Sequence, residues 1–119
     1  MKIFFHNYAT RQGIPSDTPQ TGNVSQALEI FSSLNSSTEN YFGIIDDSEK
    51  TIQFVLEAEN KWLVDIPNLP DFINDQQFAD DEKCIEIINK IFEANKIIVF
   101  PEMRKVNIMN ETLDEKLAK

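Results

Sequence analysis

The sequence predicts an α+β fold: a mainly antiparallel sheet with a central three-strand meander and two helices packed on one face. Short β-type runs with two-residue alternation follow one another between residues 41 and 66. Two segments, at 24–34 and 81–94, repeat apolar residues at helical spacing. The connections between the β-type runs are short, which favours antiparallel pairing because parallel strands need a long crossover.

The length of the chain predicts a single domain over residues 1–119. With 119 residues, 41% of them hydrophobic, the chain can bury a core without a disulfide or a metal ion. The one cysteine, Cys84, excludes an intrachain disulfide, and its apolar surroundings predict a buried thiol. No apolar run reaches the length of a signal-peptide core or a membrane span, so a cytoplasmic location is expected.

The first third of the chain predicts a strand, a long loop and a helix. Residues 2–6 form a β-type run, and the glycines and prolines of 9–22 predict a loop that is either functional or disordered. Asn23 followed by Gln26 predicts a helix cap of the capping-box type. The helix should end near Leu34, after an apolar stripe formed by Val24, Ala27, Leu28 and Phe31.

The meander is predicted to use strands at 41–45, 52–57 and 62–66. Its second and third strands alternate between apolar and polar residues, so each should show one face to the core. Trp62 is expected in that core, and the alternative is that it anchors an interface, where tryptophan is enriched. Asp65 is expected on the opposite face, in contact with water beside Glu57 or Gln53, where it would form part of an acidic platform.

The second half of the chain predicts a loop, a helix and a last strand. Pro67 and Pro70 should end the sheet, so 67–79 is interpreted as a loop. Its apolar residues are expected to fold over the core: Leu69, Phe72, Ile73 and Phe78. Asp80 should cap a helix that ends at Asn95. A strand is predicted at 97–100 and an edge strand around 106–109, and the tail at 112–119 is interpreted as a short helix or a frayed end.

The charge of the chain is negative and unevenly distributed. The net charge is −9, and residues 39–93 alone hold 14 acidic and four basic residues. Phosphate backbones and anionic membranes are also negative, which argues against direct binding to nucleic acid or to a membrane. A basic partner would be attracted. The alternative interpretation is that the charge only keeps a small protein in solution.

Catalytic and cofactor sites are not predicted. Three glycines are too few for a phosphate-binding loop, and one histidine with one cysteine argues against zinc. Residues 71–82 have the length of a calcium-binding EF-hand loop, but Ile73 and Gln76 stand where an oxygen ligand and a glycine are needed. We therefore expect no metal, no cofactor and no enzyme activity.

Paired carboxylates occur in a predicted turn, Asp46 and Asp47, and at a helix start, Asp80 and Asp81. General acid–base catalysis needs such groups in a cleft, so solvated side chains are the simpler interpretation. On the second helix, Glu86 is expected to pair with a lysine four residues later. The acidic residues predicted to bind a partner are Asp46, Asp47, Glu49, Glu57, Glu59, Asp65, Asp81 and Glu86.

The chain resembles the small immunity proteins of bacterial polymorphic-toxin and contact-dependent inhibition systems. The likeness lies in the helix at 24–34, in the runs at 42–46, 52–54 and 62–67, and in the end of the late helix at 91–92. The resemblance implies a cognate toxin as partner, often a basic nuclease, neutralised by covering its active site. An acidic adaptor, a subunit or a nucleic-acid mimic remains an alternative, and so does a small enzyme of unrecognised type.

Overall fold

The computed structural model of the protein describes residues 1–118, which form eight strands and three helices. The sheet is antiparallel throughout, in the order β2-β1-β4-β5-β6-β7-β8, and β3 also pairs with β1. The elements in chain order are β1 (Lys2–Asn7), β2 (Gln12–Ile14), β3 (Gln20–Thr21), α1 (Val24–Ser32), β4 (Tyr41–Ile45), β5 (Thr51–Ala58), β6 (Lys61–Ile66), β7 (Ile73–Ala79), α2 (Asp81–Ala94), β8 (Arg104–Asn107) and α3 (Leu113–Leu117).

This architecture confirms the predicted α+β fold and its meander. Strands β4, β5 and β6 are neighbours both in the chain and in the sheet, and β7 extends the meander by one strand. The register follows the alternation of the sequence, because Phe42 lies opposite Phe54 and Phe54 lies opposite Val64. All three side chains are fully buried, so they mark the core face of the sheet.

Helices α1 and α2 cover the core face, as predicted. Phe31 of α1 lies against Trp62, with ring centroids 4.6 Å apart, and against Phe54 at 6.0 Å. Ile87 and Ile91 of α2 belong to the same buried cluster. Full burial of an apolar side chain of this size contributes roughly 1.5–3 kcal/mol, so the contact between helices and sheet stabilises the fold.

The ends of both long helices follow local signals in the sequence. Asn23 forms the predicted capping box with Gln26, with reciprocal bonds of 2.9 Å between side chain and backbone N–H. Asp80 caps α2, and Asn95 ends it in the left-handed region with φ of 57°. Helix α1 ends at Ser32, slightly earlier than expected.

Two segments that the sequence predicts as loops contain strands. Within 9–22, β2 and β3 both pair with β1. Within 67–79, the last seven residues form β7 between β6 and β8. Strand β7 lacks the alternation that predicts strands because four of its buried residues are polar: Asn74, Asp75, Gln76 and Gln77.

The apolar residues around β7 also differ from their prediction. Leu69, Phe72 and Ile73 are exposed to 75%, 40% and 40%, so they do not cover the core. Phe78 is half-buried, and the Lys61 ammonium lies 4.2 Å from its ring centroid. The expectation that this segment folds back over the core is therefore wrong.

Residues 97–100, shortly after α2, pack on the core without entering the sheet. The sequence predicts a strand over 97–100, yet these residues belong to no strand. Ile97 and Phe100 are buried, and the Ile97 N–H donates to Oδ2 of Asp46 at 2.9 Å. The edge strand predicted around 106–109 is present two residues earlier, as β8. Within the tail predicted at 112–119, residues 113–117 form α3, which Thr112 caps, and Lys119 lies outside the described residues.

Candidate functional site

Six acidic residues lie at the end of the molecule where β5 turns into β6 and where α2 begins. The Glu39 N–H donates to the Leu56 carbonyl at 2.8 Å, which brings the residues before β4 beside the end of β5. The Asp81 N–H donates to Oδ1 of Asn60 at 2.9 Å, which ties the start of α2 to the β5–β6 turn. We call this cluster the acidic end: Glu39, Glu57, Glu59, Asp80, Asp81 and Glu82.

Half of the acidic end has a structural task. Asp80 caps α2, since its side chain accepts the Lys83 N–H at 2.8 Å. Asp81 accepts the indole N–H of the fully buried Trp62 at 2.6 Å, so it satisfies the one polar atom of that side chain. Glu82 lies with Asp81 in the first turn of α2, where the helix dipole favours negative charge.

The other half has no such task. Glu39, Glu57 and Glu59 are exposed, and none of them forms an ion pair within residues 1–118. Glu39 has a φ of 73°, and its N–H and the Asn40 carbonyl both bond to Leu56, at 2.8 and 2.9 Å, so a bulge places Glu39 beside the end of β5. The three carboxylates are therefore exposed to a partner.

Four ring-bearing side chains lie on the face of the sheet turned away from α1 and α2, which we call the open face. The His6 ring meets the Tyr8 ring edge-on at 4.4 Å and lies 6.1 Å from the Tyr41 ring at an interplanar angle of 29°. The Tyr41 ring lies in turn 6.2 Å from that of Phe4. We call this row the aromatic ladder: Phe4, His6, Tyr8 and Tyr41.

The inner end of the aromatic ladder is buried because β4 has a glycine beneath it. The Phe4 ring fills the space over Gly43, where an added Cβ would overlap three ring atoms. Phe4 is only 3% exposed in consequence, although it belongs to the open face. The close contact of β1 and β4 therefore depends on the absence of a side chain at residue 43.

A groove of about 870 Å³ runs across the open face from the aromatic ladder. Three connections form its walls: Ser16 between β2 and β3, residues 48–50 between β4 and β5, and residues 67–69 after β6. The segment at 9–22 thus contributes one wall. Side chains that alternate toward this face form the floor: Phe4, Tyr41, Ile45, Thr51, Gln53 and Val55.

Asp65 lies on the open face among amide side chains. Gln53 is its cross-strand neighbour, as predicted. Its Oδ1 accepts bonds from Nδ2 of Asn74 at 2.9 Å and from Nε2 of Gln76 at 2.8 Å. Burial raises the pKa of Asp65 against the lowering effect of these two bonds, and the charge of Asp75 adds to the rise. Asp65 is therefore half-buried in a cluster of amides, and not a fully solvated member of an acidic platform as the sequence suggests.

The acidic residues predicted to bind a partner fall in four places. Three belong to the acidic end: Glu57, Glu59 and Asp81. Three lie in the turn at the opposite end of β5: Asp46, Asp47 and Glu49. Asp65 lies on the open face, and Glu86 lies on the exposed side of α2. The fold brings only the first three together.

Asp46 is not the solvated turn residue that the sequence suggests. It is 8% exposed, and its Oδ1 accepts the N–H groups of Ser48 and Lys50, each at 2.9 Å. Its Oδ2 accepts the N–H of Ile97, as described above. Because both oxygens are engaged within the chain, Asp46 shapes the turn and is removed from the candidate surface.

Glu86 forms the predicted pair with Lys90, at 2.9 Å, and a second one with Lys83 at 3.5 Å. The hydrogen bond from Lys90, reinforced by the charge of Lys83, holds the pKa of Glu86 below its usual range. Two lysines offset this carboxylate, so it contributes less to an attractive field than the unpaired residues of the acidic end.

Sequence reasoning missed the aromatic ladder and the asparagine that supports it. Phe4, His6 and Tyr8 occupy alternate positions, and alternate residues of a strand lie on the same face. The sequence of β1 could therefore have predicted that these rings lie side by side. Asn40 is fully buried, accepts the Tyr8 N–H at 2.7 Å and donates to the Leu34 carbonyl at 3.0 Å. Its bond to Tyr8 joins residues 32 apart, and no local pattern announces such a contact.

Features that would indicate other functions are limited. Cys84 is buried, as predicted, and burial raises the pKa of its thiol, with smaller contributions from Asp81 and Asp80. Over residues 1–118, no group of three or more His, Cys, Asp or Glu side chains is arranged to hold a metal ion. No helix in that part of the chain has the length and apolar character needed to cross a membrane.

Comparisons with protein-family models, with curated proteins and with solved structures found no match.

Proposed function

We propose that the chain is a non-catalytic protein of the bacterial cytoplasm that binds a basic toxin domain and neutralises it by covering its active site. The observation that carries the proposal is the acidic end, where carboxylates from separate segments meet. Three of them have no ion-pair partner within residues 1–118. The resemblance of the sequence to immunity proteins supplies the kind of partner.

The physical argument is that unpaired carboxylates are complementary to a basic surface. Exposed charges of one sign steer an oppositely charged partner and raise its association rate more than they raise its affinity. Glu39 and Glu57 come from segments that the bond from the Glu39 N–H to the Leu56 carbonyl holds together. A lysine or arginine of the partner placed beside them would pair with carboxylates that form no ion pair within residues 1–118, so the arrangement favours a basic partner.

The test is a pull-down from the native host with the full chain as bait, at low and at high salt, followed by mass spectrometry. We expect one basic protein with a toxin or nuclease domain to be retained at low salt. The triple variant Glu39→Gln, Glu57→Gln, Glu59→Gln should retain roughly tenfold less of it, because it removes the steering charges. These side chains are exposed and unpaired within residues 1–118, so the variant should fold normally.

The matched control is the triple variant Glu29→Gln, Asp71→Asn, Glu93→Gln, which changes the net charge by the same amount at three other exposed positions. It should retain the partner almost as well as the unchanged bait. Equal losses in both variants would reduce the acidic end to a part of the overall charge and contradict the proposal. Recovery of a multi-subunit complex instead of a toxin would favour an adaptor.

A further inference from the structure

Several half-exposed rings lie close together on the open face. No helix within residues 1–118 covers them. Tyr8 is 51% exposed, and His6 and Tyr41 are half-buried. Tyrosine is enriched among the residues that dominate the binding energy of protein interfaces. A row of rings that leads into a groove offers aromatic and apolar contacts to an extended segment.

The ladder is also held in place before any partner binds. The Tyr8 backbone is fixed by the buried Asn40, and its ring rests on His6. The preceding Asn7 is buried as well and accepts the N–H groups of Ala9 and Thr10 at 3.0 and 3.3 Å. A surface that is already ordered loses little conformational entropy on binding. A larger share of the free energy of its contacts therefore appears as binding free energy.

The charged residues around this surface indicate the charge of the segment that would bind there. The ladder reaches the acidic end at Tyr41, two residues after Glu39, and Glu57 lies two residues beyond Val55, which is the cross-strand neighbour of Tyr41. Glu49 and Lys50 line the far end of the groove, so their charges offset each other there. The ladder end of the surface therefore borders exposed carboxylates that form no ion pair within residues 1–118.

We propose that the open face binds an extended segment of the basic partner, with an arginine side chain on the rings of Tyr8 and Tyr41 and an apolar neighbour in the groove. This inference rests on the proposed function and adds to it the place of contact and the side chain that is recognised. Arginine fits better than lysine because its planar guanidinium stacks on rings and is more weakly hydrated. Glu39 and Glu57 supply the charge that selects a cation.

A defined probe tests this directly: the blocked hexapeptide of alternating glycine and arginine, titrated into the full isotope-labelled chain and followed by NMR. We expect the largest shift changes at Tyr8, His6 and Tyr41. The same peptide with lysine should bind more weakly, and the peptide with neutral citrulline more weakly still. Shift changes confined to the start of α2 or to β8 would overturn the inference.

Two variants of Tyr8 distinguish a cation–π contact with the ring from a contact that is only apolar. Tyr8→Leu keeps apolar surface and removes the ring, so it should weaken binding of the arginine peptide about two- to fivefold. Tyr8→Phe should restore most of that loss. Equal affinity of Tyr8→Leu and the unchanged protein would contradict the inference.

The same variant distinguishes the two proposals. A basic toxin domain that Tyr8→Leu binds as tightly as the unchanged protein would refute the docking surface and leave the proposed function standing. A chain that binds the arginine peptide on the ladder, but retains no basic protein from its host, would support the surface and contradict the proposed function.

Discussion

At the scale of single residues, Asp65 shows how burial and hydrogen bonds compete on the open face. Its carboxyl is half-buried in β6 and faces two amide donors, Asn74 and Gln76. The amides favour the charged form, whereas the loss of water favours the neutral one, and the loss of water prevails. The carboxyl therefore holds its proton more tightly in the folded protein than in the unfolded chain.

This predicts a pH effect with a definite sign. The stabilisation from protonated Asp65 is fully present below the ordinary pKa of 3.8 and is lost as the pH rises through the raised value of the folded state. Asp65→Asn cannot titrate. The free energy of unfolding of the unchanged protein, minus that of the variant, should therefore increase as the pH falls from about 7 to about 4.

Urea unfolding of both proteins across this pH range measures the difference. Asp71→Asn, which changes an exposed carboxyl in the same way, serves as the control for the altered net charge. A difference between the unchanged protein and Asp65→Asn that stays constant over the range would contradict the account of Asp65.

The burial and hydrogen bonds of single side chains were the features that the sequence predicted least well. The caps Asn23 and Asp80 could be predicted because their partners lie three residues away. Asp46 could not, because one of its oxygens binds an N–H group 51 residues later in the chain. The buried state of Asn40 depends in the same way on residues brought near only by the fold.

At the scale of elements, the pairing of β1 with β4 determines the shape of the open face. Phe4 lies opposite Gly43 in this pair, and the missing side chain lets the ring lie against the strand. The ring then forms part of the groove floor. A side chain at residue 43 would push the ring outward and change both the strand contact and the groove.

Gly43→Ala should therefore lower the free energy of unfolding by about 1–3 kcal/mol, the usual effect of forcing extra volume into a packed contact. In a Phe4→Ala background the same substitution should lower it by much less, since the ring that would be displaced is gone. Urea unfolding of the two single variants and the double variant gives the coupling. Equal effects of Gly43→Ala in both backgrounds would contradict the proposed contact.

The elements themselves could be predicted wherever local pattern and environment agree. The helices have capping residues and apolar stripes, and β5 and β6 alternate cleanly between buried and half-exposed residues. Strand β7 was missed because its buried side chains are polar, and those of Asn74 and Gln76 donate to Asp65 on the neighbouring strand. The apolar run at 97–100 was interpreted as a strand because periodicity cannot distinguish a strand from a stretch that packs on the core.

At the scale of the whole molecule, the fold gathers acidic residues that are spread along the sequence into the acidic end. The sequence shows 14 acidic residues between 39 and 93, which predicts the sign of a partner but not its place of contact. Glu39, Glu57 and Asp81 lie at one end of the molecule because the Glu39 N–H donates to the Leu56 carbonyl and the Asp81 N–H donates to the Asn60 side chain. The aromatic ladder ends beside this cluster, so charge and rings form one continuous surface.

The measurement that tests the central claim most directly is the association rate with the retained partner as a function of salt, by stopped-flow fluorescence of Trp62 or of a labelled partner. For the unchanged protein, we expect the rate constant to fall about tenfold or more between about 50 mM and about 500 mM salt. The triple variant at Glu39, Glu57 and Glu59 should start lower and fall less steeply. The same slope in both proteins would contradict the claim that the acidic end binds a basic partner.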